Sequence, residues 1–145
     1  MIALATLADL DAIVEIEQHS FPRPMTRAFF EAELARDLAR IWVVKNTDRV
    51  IAFLVAWIVV GELHVHSIAA HPDHRRAGIG ACLLAHALAT ARTDGCTAAT
   101  LEVRRGNLPA IALYERAGFT TVNVRAAYYQ DNHEDALVMI LALMP

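Results

Sequence analysis

The chain has 145 residues, 56% of them hydrophobic and 20% charged, and its formal net charge is −3 at pH 7. This length and apolar content favour one domain over residues 1–145 with a sizeable core, and the slightly acidic balance argues against direct binding of nucleic acid. The longest apolar run, residues 50–60, is shorter than the ~20 residues of a membrane-spanning helix, and no basic stretch precedes a signal-like apolar segment. The two cysteines, Cys82 and Cys96, have no metal-ligand spacing. These features predict a cytoplasmic protein without membrane contact.

The first half of the chain predicts a short edge strand, two helices and a strand hairpin. Thr6 and Thr26 are suitable N-caps, because a threonine hydroxyl can accept a hydrogen bond from the first helical turn. β-Branched and aromatic residues flank a polar turn at residues 46–49, which favours an antiparallel hairpin. The predicted elements are a strand at 1–5, helices at 8–18 and 26–36, and strands at 41–45 and 50–60.

From residue 61 onward, the pattern predicts strands that alternate with helices. Gly95 and Gly118 follow helical patterns at positions where glycine commonly ends a helix. Pro109 suits the first turn of the second of these helices. The predicted strands are 63–70, 97–103, 119–124 and 135–143, and the predicted helices are 81–93 and 109–117. The sum is a mixed α/β (α+β) domain in which an antiparallel meander leads into strand–helix–strand units.

A glycine-rich loop joins the strand at 63–70 to the helix that follows it. Gly78 and Gly80 carry no Cβ, so a ligand can approach the backbone closely near the positive end of the helix dipole. Arg75 and Arg76 add positive charge at the same place. These residues predict a phosphate or pyrophosphate site, although an ordinary loop before a helix has the same features.

Glu102 lies near the end of an otherwise apolar predicted strand. Side chains alternate along a strand, so the neighbours of Glu102 face the opposite side of the sheet. A carboxylate in such a place is costly unless it is exposed, paired or used in chemistry. Two interpretations stay open on these residues alone. Glu102 either pairs with Arg104 or Arg105 at the rim or acts as a general base.

The helix predicted at 109–117 carries two more candidates. Asn107 stands at its entrance, where the side chain can cap the helix or reach a ligand. Tyr114 lies three residues after Ile111, on one helix face. A tyrosine there either packs with its hydroxyl at the surface or serves a functional site.

Two of these patterns resemble signatures of the GNAT acetyltransferases. Residues 75–80 read Arg-x-x-Gly-x-Gly and resemble the loop that cradles the pyrophosphate of acetyl-coenzyme A in that family. Residues 107–119 read Asn-x-x-Ala-x-x-Leu-Tyr-x-x-x-Gly-Phe and match the second family signature at the expected distance. Residues 101–104, Leu-Glu-Val-Arg, are similar to the RimI-type subgroup, the ribosomal-protein-alanine N-acetyltransferases. Further similar segments lie at 19–22, 125–129 and 134–139, so the resemblance covers nearly the whole chain.

The resemblance implies a GNAT fold, with a mixed central sheet of about six to seven strands flanked by about four helices. It also implies an activity, the transfer of acetyl from acetyl-coenzyme A to the N-terminal α-amine of a protein. The implied acceptor is an N-terminal alanine of a ribosomal protein, and the implied enzyme is a monomer or a weak dimer that needs no metal. Glu102 falls where this subgroup has its general base, and Tyr114 falls where it has its general acid.

The resemblance also assigns binding residues. The pantetheine arm is expected along the strand at 68–70, the pyrophosphate at the loop 76–81, and the acceptor beside the segments around residues 25 and 128. The coenzyme-contacting positions are Ile68, Ala69, Ala70, Arg75, Arg76, Ala77, Gly78, Ile79, Gly80, Ala81 and Asn107, and the acceptor positions are Met25, Tyr128 and Tyr129.

The chain departs from the subgroup at three positions. Gly106 replaces a serine, Met25 replaces a tryptophan near the acceptor site, and Ser67 replaces a frequent asparagine. The exchange at Met25 leaves open an enzyme that acetylates lysine side chains or small-molecule amines. A binding module for acetyl-coenzyme A or a partner, without catalysis, is the alternative of another class. Intact Glu102 and Tyr114 argue against it.

Two further groups of residues keep more than one interpretation. His64 and His66 share a strand face, but with the histidines that follow they form no recognised zinc spacing, and a role in proton relay stays unassigned. Tyr128 and Tyr129, with Arg125, either line the acceptor groove or pack a strand pair.

Overall fold

The computed structural model describes residues 1–143, which form one mixed sheet with helices on both faces. The strands are β1 (Ile2–Leu4), β2 (Ala39–Asn46), β3 (Arg49–Val59), β4 (Glu62–Ala70), β5 (Ala98–Arg104), β6 (Thr120–Arg125) and β7 (Ala136–Ala142). The helices are α1 (Leu10–Ser20), α2 (Arg27–Leu34), α3 (Ile79–Thr93) and α4 (Leu108–Arg116). Seven strands and four α-helices within residues 1–143 confirm the predicted fold class.

The strand order in the sheet is β1-β2-β3-β4-β5-β7-β6. The strands β1 to β4 pair antiparallel, which confirms the edge strand and the hairpin, and β4 pairs parallel with β5. The last strand, β7, then inserts antiparallel between β5 and β6. The expected unit of β5, α4 and β6 is present in chain order, but its two strands are not neighbours. This insertion carries the β6–β7 loop to the carboxyl end of β5.

Each face of the sheet has its own apolar core. On one face, α3 packs Leu83, Leu84 and Leu88 against the sheet, and α4 and β7 extend this cluster. On the other face, the buried side chains of α1 and α2, including Ile13 and Phe30, pack against Phe53 of β3. Helices therefore cover both faces of the sheet.

An irregularity in β4 changes which side chains face each core. Val65 pairs with Ala56 and Ser67 pairs with Val55, so His66 is an extra residue in the register. Such a β-bulge leaves one residue unpaired and turns the strand locally. Leu63 and Val65 before the bulge, and Ile68 and Ala70 after it, all contribute to the core under α3. His66 and Ser67 consequently follow one another on the opposite face.

The local signals predicted where helices occur but not every residue at which a helix begins. Thr26 caps α2 as predicted, since its Oγ1 accepts a hydrogen bond of 3.2 Å from the N–H of Phe29. Thr6 instead begins a single 3₁₀ turn, where its N–H donates to the carboxylate of Asp9. The helix predicted from residue 81 begins at Ile79, so the glycine-rich loop is two residues shorter than expected. No helix in the described part of the chain is long and apolar enough to cross a membrane.

Candidate active site

A cavity of about 470 Å³ opens on the α1–α2 face of the sheet, between the ends of β4 and β5. Its size falls in the range of about 300–1,000 Å³ that small-molecule sites occupy. The lining comes from α1, α2 and the segment between them, from β3, β4, β5 and α4, and from the β6–β7 loop. It comprises Glu17, Phe21, Pro22, Arg23, Met25, Phe29, Phe30, Glu33, Val55, Trp57, His66, Ser67, Ile68, Glu102, Val103, Arg104, Asn107, Ala110, Tyr114 and Tyr129.

Glu102 reaches this cavity from β5 and is paired with a residue of β6. Its Oε2 lies 3.2 Å from Nε of Arg125, and its side chain remains 34% exposed. Of the two interpretations left open for Glu102, the pairing with Arg104 or Arg105 is wrong, because those arginines bind acidic residues of the β6–β7 loop. The Glu102 carboxylate is thus accessible to a ligand while it is paired with the guanidinium of Arg125.

Tyr114 reaches the same cavity from α4, and it is buried rather than a surface tyrosine. Only 6% of the residue is exposed, and its ring lies 5.9 Å from that of Phe119 between ring centroids. Within residues 1–143 no protein group forms a hydrogen bond with its hydroxyl. Burial raises the pKa of the Tyr114 phenol above its ordinary value. The phenol therefore keeps its proton across the physiological pH range, as an acid requires.

Asn107 joins β5 to α4 beside these two residues. Its Oδ1 accepts a hydrogen bond of 3.3 Å from the N–H of Ala110, which makes it the N-cap of α4. The same side chain lines the cavity. The predicted capping role is confirmed, and contact with a coenzyme stays a prediction.

The glycine-rich loop lies next to the cavity rather than in its wall. Gly78 is the N-cap of α3 with φ +76°, so Ile79, Gly80 and Ala81 form the first helical turn. A Cβ on Gly80 would lie 3.5 Å from Leu113 of α4. The predicted phosphate residues thus include the start of a helix that packs close to α4, with backbone N–H groups free to meet an anion.

The two arginines of this loop differ in their surroundings. Arg75 is tied to the protein, because it donates to the carbonyl of Ala70 at 3.1 Å, to the carbonyl of His19 at 3.2 Å and to Oγ of Ser20 at 3.1 Å. Arg76 is exposed and has a positive φ of 66°. Arg75 therefore fixes the loop against the end of α1, and Arg76 is the more available of the two for a ligand.

Tyr128 and Tyr129 lie in the β6–β7 loop, and each ring contacts an arginine of a neighbouring strand. The guanidinium of Arg104 stacks over Tyr129 at 4.0 Å from the ring centroid and forms two hydrogen bonds of 3.0 Å with Asp131. Tyr129 lines the cavity, whereas Tyr128 is outside its wall and 44% exposed. Arg104 thereby holds one of the two predicted acceptor residues in place.

Two buried carboxylates at the cavity were missed by the sequence reasoning. Glu17 accepts a hydrogen bond of 2.9 Å from the N–H of Met25, and desolvation by burial raises its pKa. Glu33 accepts a hydrogen bond of 2.9 Å from Nε1 of Trp57. Glu17 lies four residues after Ile13, on the apolar face of α1, and that position was the available signal. With Glu102, these groups make a cavity that suits a cationic amine.

Two of the departures from the family pattern have a structural setting here. The N–H of Gly106 donates to Oε2 of Glu134 at 2.6 Å, and a Cβ on this glycine would lie equally close to that oxygen, at 2.6 Å. A serine at this position would displace the Glu134 carboxylate. Ser67 has a buried hydroxyl for which the part of the chain in the structure offers no hydrogen-bond partner.

The histidines of β4 have different neighbours. Nε2 of His64 lies 3.4 Å from a carboxylate oxygen of Glu62, and the ring of His66 lies 4.3 Å from that of Trp57 between centroids. Across residues 1–143 no group of three or more His, Cys, Asp or Glu side chains is arranged to hold a metal ion.

Comparison with known proteins places this site in a family. Residues 10–119 match the model of the acetyltransferase (GNAT) family. The chain belongs to that family, and it is an N-acetyltransferase that uses acetyl-coenzyme A as its acetyl donor.

The most informative relatives act on a ribosomal protein. The chain is 34% identical over 144 residues, 98% of its length and 97% of the relative's, to a ribosomal protein bS18-alanine N-acetyltransferase of Salmonella typhimurium. It is 34% identical over 137 residues to the enzyme of the same description from Escherichia coli K12, covering 93% and 92% of the two chains. The crystal structure of the Escherichia coli ribosomal-protein-S18-alanine N-acetyltransferase superimposes with a TM-score of 0.92 at 31% identity, covering 100% of this chain and 94% of that one.

A Gly78→Ala variant is expected to weaken acetyl-coenzyme A binding beyond its cost in stability. An alanine at φ +76° is strained by about 1 kcal/mol, and its methyl group would occupy the open space in front of the helix N-terminus. We expect the KM for acetyl-coenzyme A to rise about tenfold. Steady-state kinetics at varied coenzyme concentration measures this change.

The matched control is Gly61→Ala, since Gly61 lies in the β3–β4 turn and has a similar φ of +78°. At both glycines the described part of the chain leaves open space around the position that a methyl group would take. Both variants should therefore lose similar stability in thermal unfolding. Equal KM values for the two would remove Gly78 from the coenzyme site.

Proposed function

We propose that the protein transfers acetyl from acetyl-coenzyme A to the N-terminal α-amine of a protein, with a ribosomal protein that begins with alanine as its cytoplasmic acceptor. The observation that carries this proposal is a single cavity that holds an accessible carboxylate, Glu102, and a buried phenol, Tyr114. The 34% identity over nearly the whole chain to an enzyme of this description supports the choice of acceptor. Residues 1–145 act as one domain in this proposal, as a monomer or a weak dimer.

The coenzyme lies along β4 and the start of α3 in this proposal. The pairing of β4 with β5 runs only as far as Val65 and Leu101, so at residues 68–70 the edge of β4 that faces away from β3 is open to the pantetheine arm. The N–H groups at residues 76–81 hold the pyrophosphate, with the helix dipole in support. Asn107 contacts the coenzyme from the start of α4.

The reaction then needs one base and one acid. An α-amine has a pKa of about 7.7–8.0, so much of it is protonated at neutral pH. Glu102 removes a proton, directly or through a water molecule, and the freed lone pair attacks the thioester carbonyl carbon. A backbone N–H of β4 stabilises the charge that develops on the carbonyl oxygen. As the C–S bond breaks, the sulfur receives a proton from Tyr114, and the enzyme forms no covalent intermediate.

The acceptor enters between the segment after α1 and the β6–β7 loop. Met25 and Tyr129 line the cavity there, and Tyr128 lies at its edge. The buried carboxylate of Glu17 fixes the backbone of Met25, as the hydrogen bond between them indicates. Acidic groups in this wall favour an ammonium group over a neutral or anionic acceptor.

The test is mass spectrometry on one peptide that begins with alanine and contains one internal lysine. After incubation with the protein and acetyl-coenzyme A, we expect acetyl on the N-terminal nitrogen and an unmodified lysine. Acetyl on the lysine would instead make the protein a lysine or general amine acetyltransferase. Tight coenzyme binding without transfer to any amine would favour a binding module and contradict the proposal.

A further inference from the structure

His66 and Glu102 occupy neighbouring positions on two strands at the point where those strands separate. The parallel pairing of β4 and β5 ends at Val65 and Leu101, and His66 and Glu102 are the next residues along each strand. Adjacent strands lie about 4.8 Å apart. Both side chains are on the sheet face opposite α3, and both line the cavity.

His66 lies at the β-bulge, and its neighbours hold it in the cavity wall. It is the extra residue between the pairs formed by Val65 and Ser67, and a bulge leaves such a residue without a partner in the strand ladder. The ring is held against Trp57 at a centroid distance of 4.3 Å, and Trp57 is itself fixed by its hydrogen bond to Glu33. The imidazole therefore has a defined position in the cavity wall.

The charged groups around this imidazole come from three elements. Glu33 faces it from α2, with Arg36 just beyond the end of that helix, His64 from β4 itself and Glu102 from β5. Desolvation is the largest influence and lowers the pKa of His66, although the two carboxylates act in the opposite direction. At neutral pH the ring is thus uncharged and has a lone pair that can accept a proton.

We propose that His66 receives, by way of Glu102, the proton that the acceptor ammonium releases. This inference rests on the proposed function and adds a second proton carrier to it. An imidazole is in general a stronger base than a carboxylate, and the charge of Glu102 acts against the lowering of the His66 pKa by burial. Transfer from Glu102 to His66 therefore makes the neutral amine easier to form than transfer to Glu102 alone.

The protons balance over one turnover. The acceptor nitrogen loses its first proton to Glu102, which passes it to a ring nitrogen of His66, directly or through a water molecule. The nitrogen lone pair forms the C–N bond, the C–S bond breaks, and the sulfur takes a proton from Tyr114. The nitrogen loses its second proton as the amide forms, and that proton restores the phenol through solvent. His66 releases the first proton to solvent, so one proton leaves per acetyl transferred.

His66→Phe is the direct test, because phenylalanine keeps the ring contact with Trp57 and removes the proton acceptor. We expect kcat on the alanine peptide to fall about tenfold at pH 6.5, with an unchanged KM for acetyl-coenzyme A. The deficit should shrink above pH 8.5, where the acceptor amine is already neutral. A pH profile identical to that of the wild type would overturn the proposal.

His64→Phe is the matched control on the same strand and face. His64 lies beside Glu62 and is outside the cavity wall, so this variant should keep wild-type kinetics. If His64→Phe loses as much activity as His66→Phe or more, the proposal has named the wrong histidine and is contradicted.

A second measurement does not depend on the acceptor. Titration of the His66 ring by NMR should give a lower pKa in Glu102→Gln than in the wild type, because the variant lacks the carboxylate charge that raises it. An unchanged titration would mean that the two groups are not coupled and would overturn the relay. If the wild-type protein acetylates no peptide, the proposed function fails, and this titration alone decides whether Glu102 and His66 form a pair.

Discussion

Replacing Tyr114 with phenylalanine is expected to lower kcat about 100-fold, which is a typical contribution of one general acid. The departing sulfur gathers negative charge as the C–S bond breaks, and in the proposed mechanism its proton comes from the phenol that α4 places in the cavity. The KM for acetyl-coenzyme A should stay near its wild-type value, since the hydroxyl acts on the sulfur only as the thioester is cleaved. Steady-state assays that follow release of the free coenzyme A thiol measure this change in kcat.

The fold should tolerate this substitution, which makes the kinetic result interpretable. The Tyr114 ring packs against Phe119, and phenylalanine preserves that contact. The hydroxyl has no partner among the protein groups of residues 1–143, so its removal leaves no orphaned donor or acceptor. Thermal unfolding and calorimetric binding of acetyl-coenzyme A should both match the wild type.

The pH dependence of the Tyr114→Phe deficit is a second test of the role of Tyr114. Because burial raises the pKa of Tyr114, its phenol is protonated at every pH at which the protein would be assayed. The deficit of Tyr114→Phe should therefore be constant from pH 6 to pH 9. Unchanged turnover, or a deficit that varies strongly within this range, would exclude Tyr114 as the acid.

The sequence predicted those parts of the fold that depend on short-range signals. The hairpin of β2 and β3 follows from a polar turn between two β-rich runs, and α4 follows from the Asn107 cap and Pro109. The cavity residues Glu102 and Tyr114 were also identifiable, because a carboxylate in an apolar strand and a tyrosine on an amphipathic helix are visible locally. Local patterns left the chemical roles of these residues open, and the family resemblance predicts them.

The remaining features depend on contacts between distant parts of the chain. Arg125 of β6 reaches Glu102 of β5 across the inserted strand β7, and no local pattern specifies that strand order. The bulge at His66 is a property of the register between β3 and β4, and the sequence around His66 reads as ordinary alternation. Glu17 has a place on the apolar face of α1, but its hydrogen bond to the N–H of Met25 depends on how the segment after α1 folds back over the helix.

Glu102→Gln is expected to lower kcat/KM for the alanine peptide about 100-fold at pH 6.5, since glutamine has nearly the same shape and cannot accept the proton. The acceptor must then lose its proton to water before it enters. The rate of the variant should rise with pH in proportion to the neutral amine, which has a pKa of about 7.7–8.0. The deficit should therefore shrink to less than about tenfold at pH 9.

Arg125→Gln separates loss of the base from loss of the ion pair. It removes the guanidinium that lies 3.2 Å from Glu102 and leaves the carboxylate, so its kcat/KM should change less than about threefold, as expected for a partly exposed pair. A fall as large as that of Glu102→Gln would mean that the pair, and not the base, matters.

The shape of the Glu102→Gln profile distinguishes the remaining explanations. A deficit that lies wholly in a raised KM for the peptide, with an unchanged kcat, would show that the carboxylate only holds the ammonium by charge. Wild-type rates throughout would remove Glu102 from the reaction, and the uncharged imidazole of His66 would then be the base that the cavity offers. A deficit in kcat that shrinks as the amine becomes neutral is the result expected of a proton acceptor.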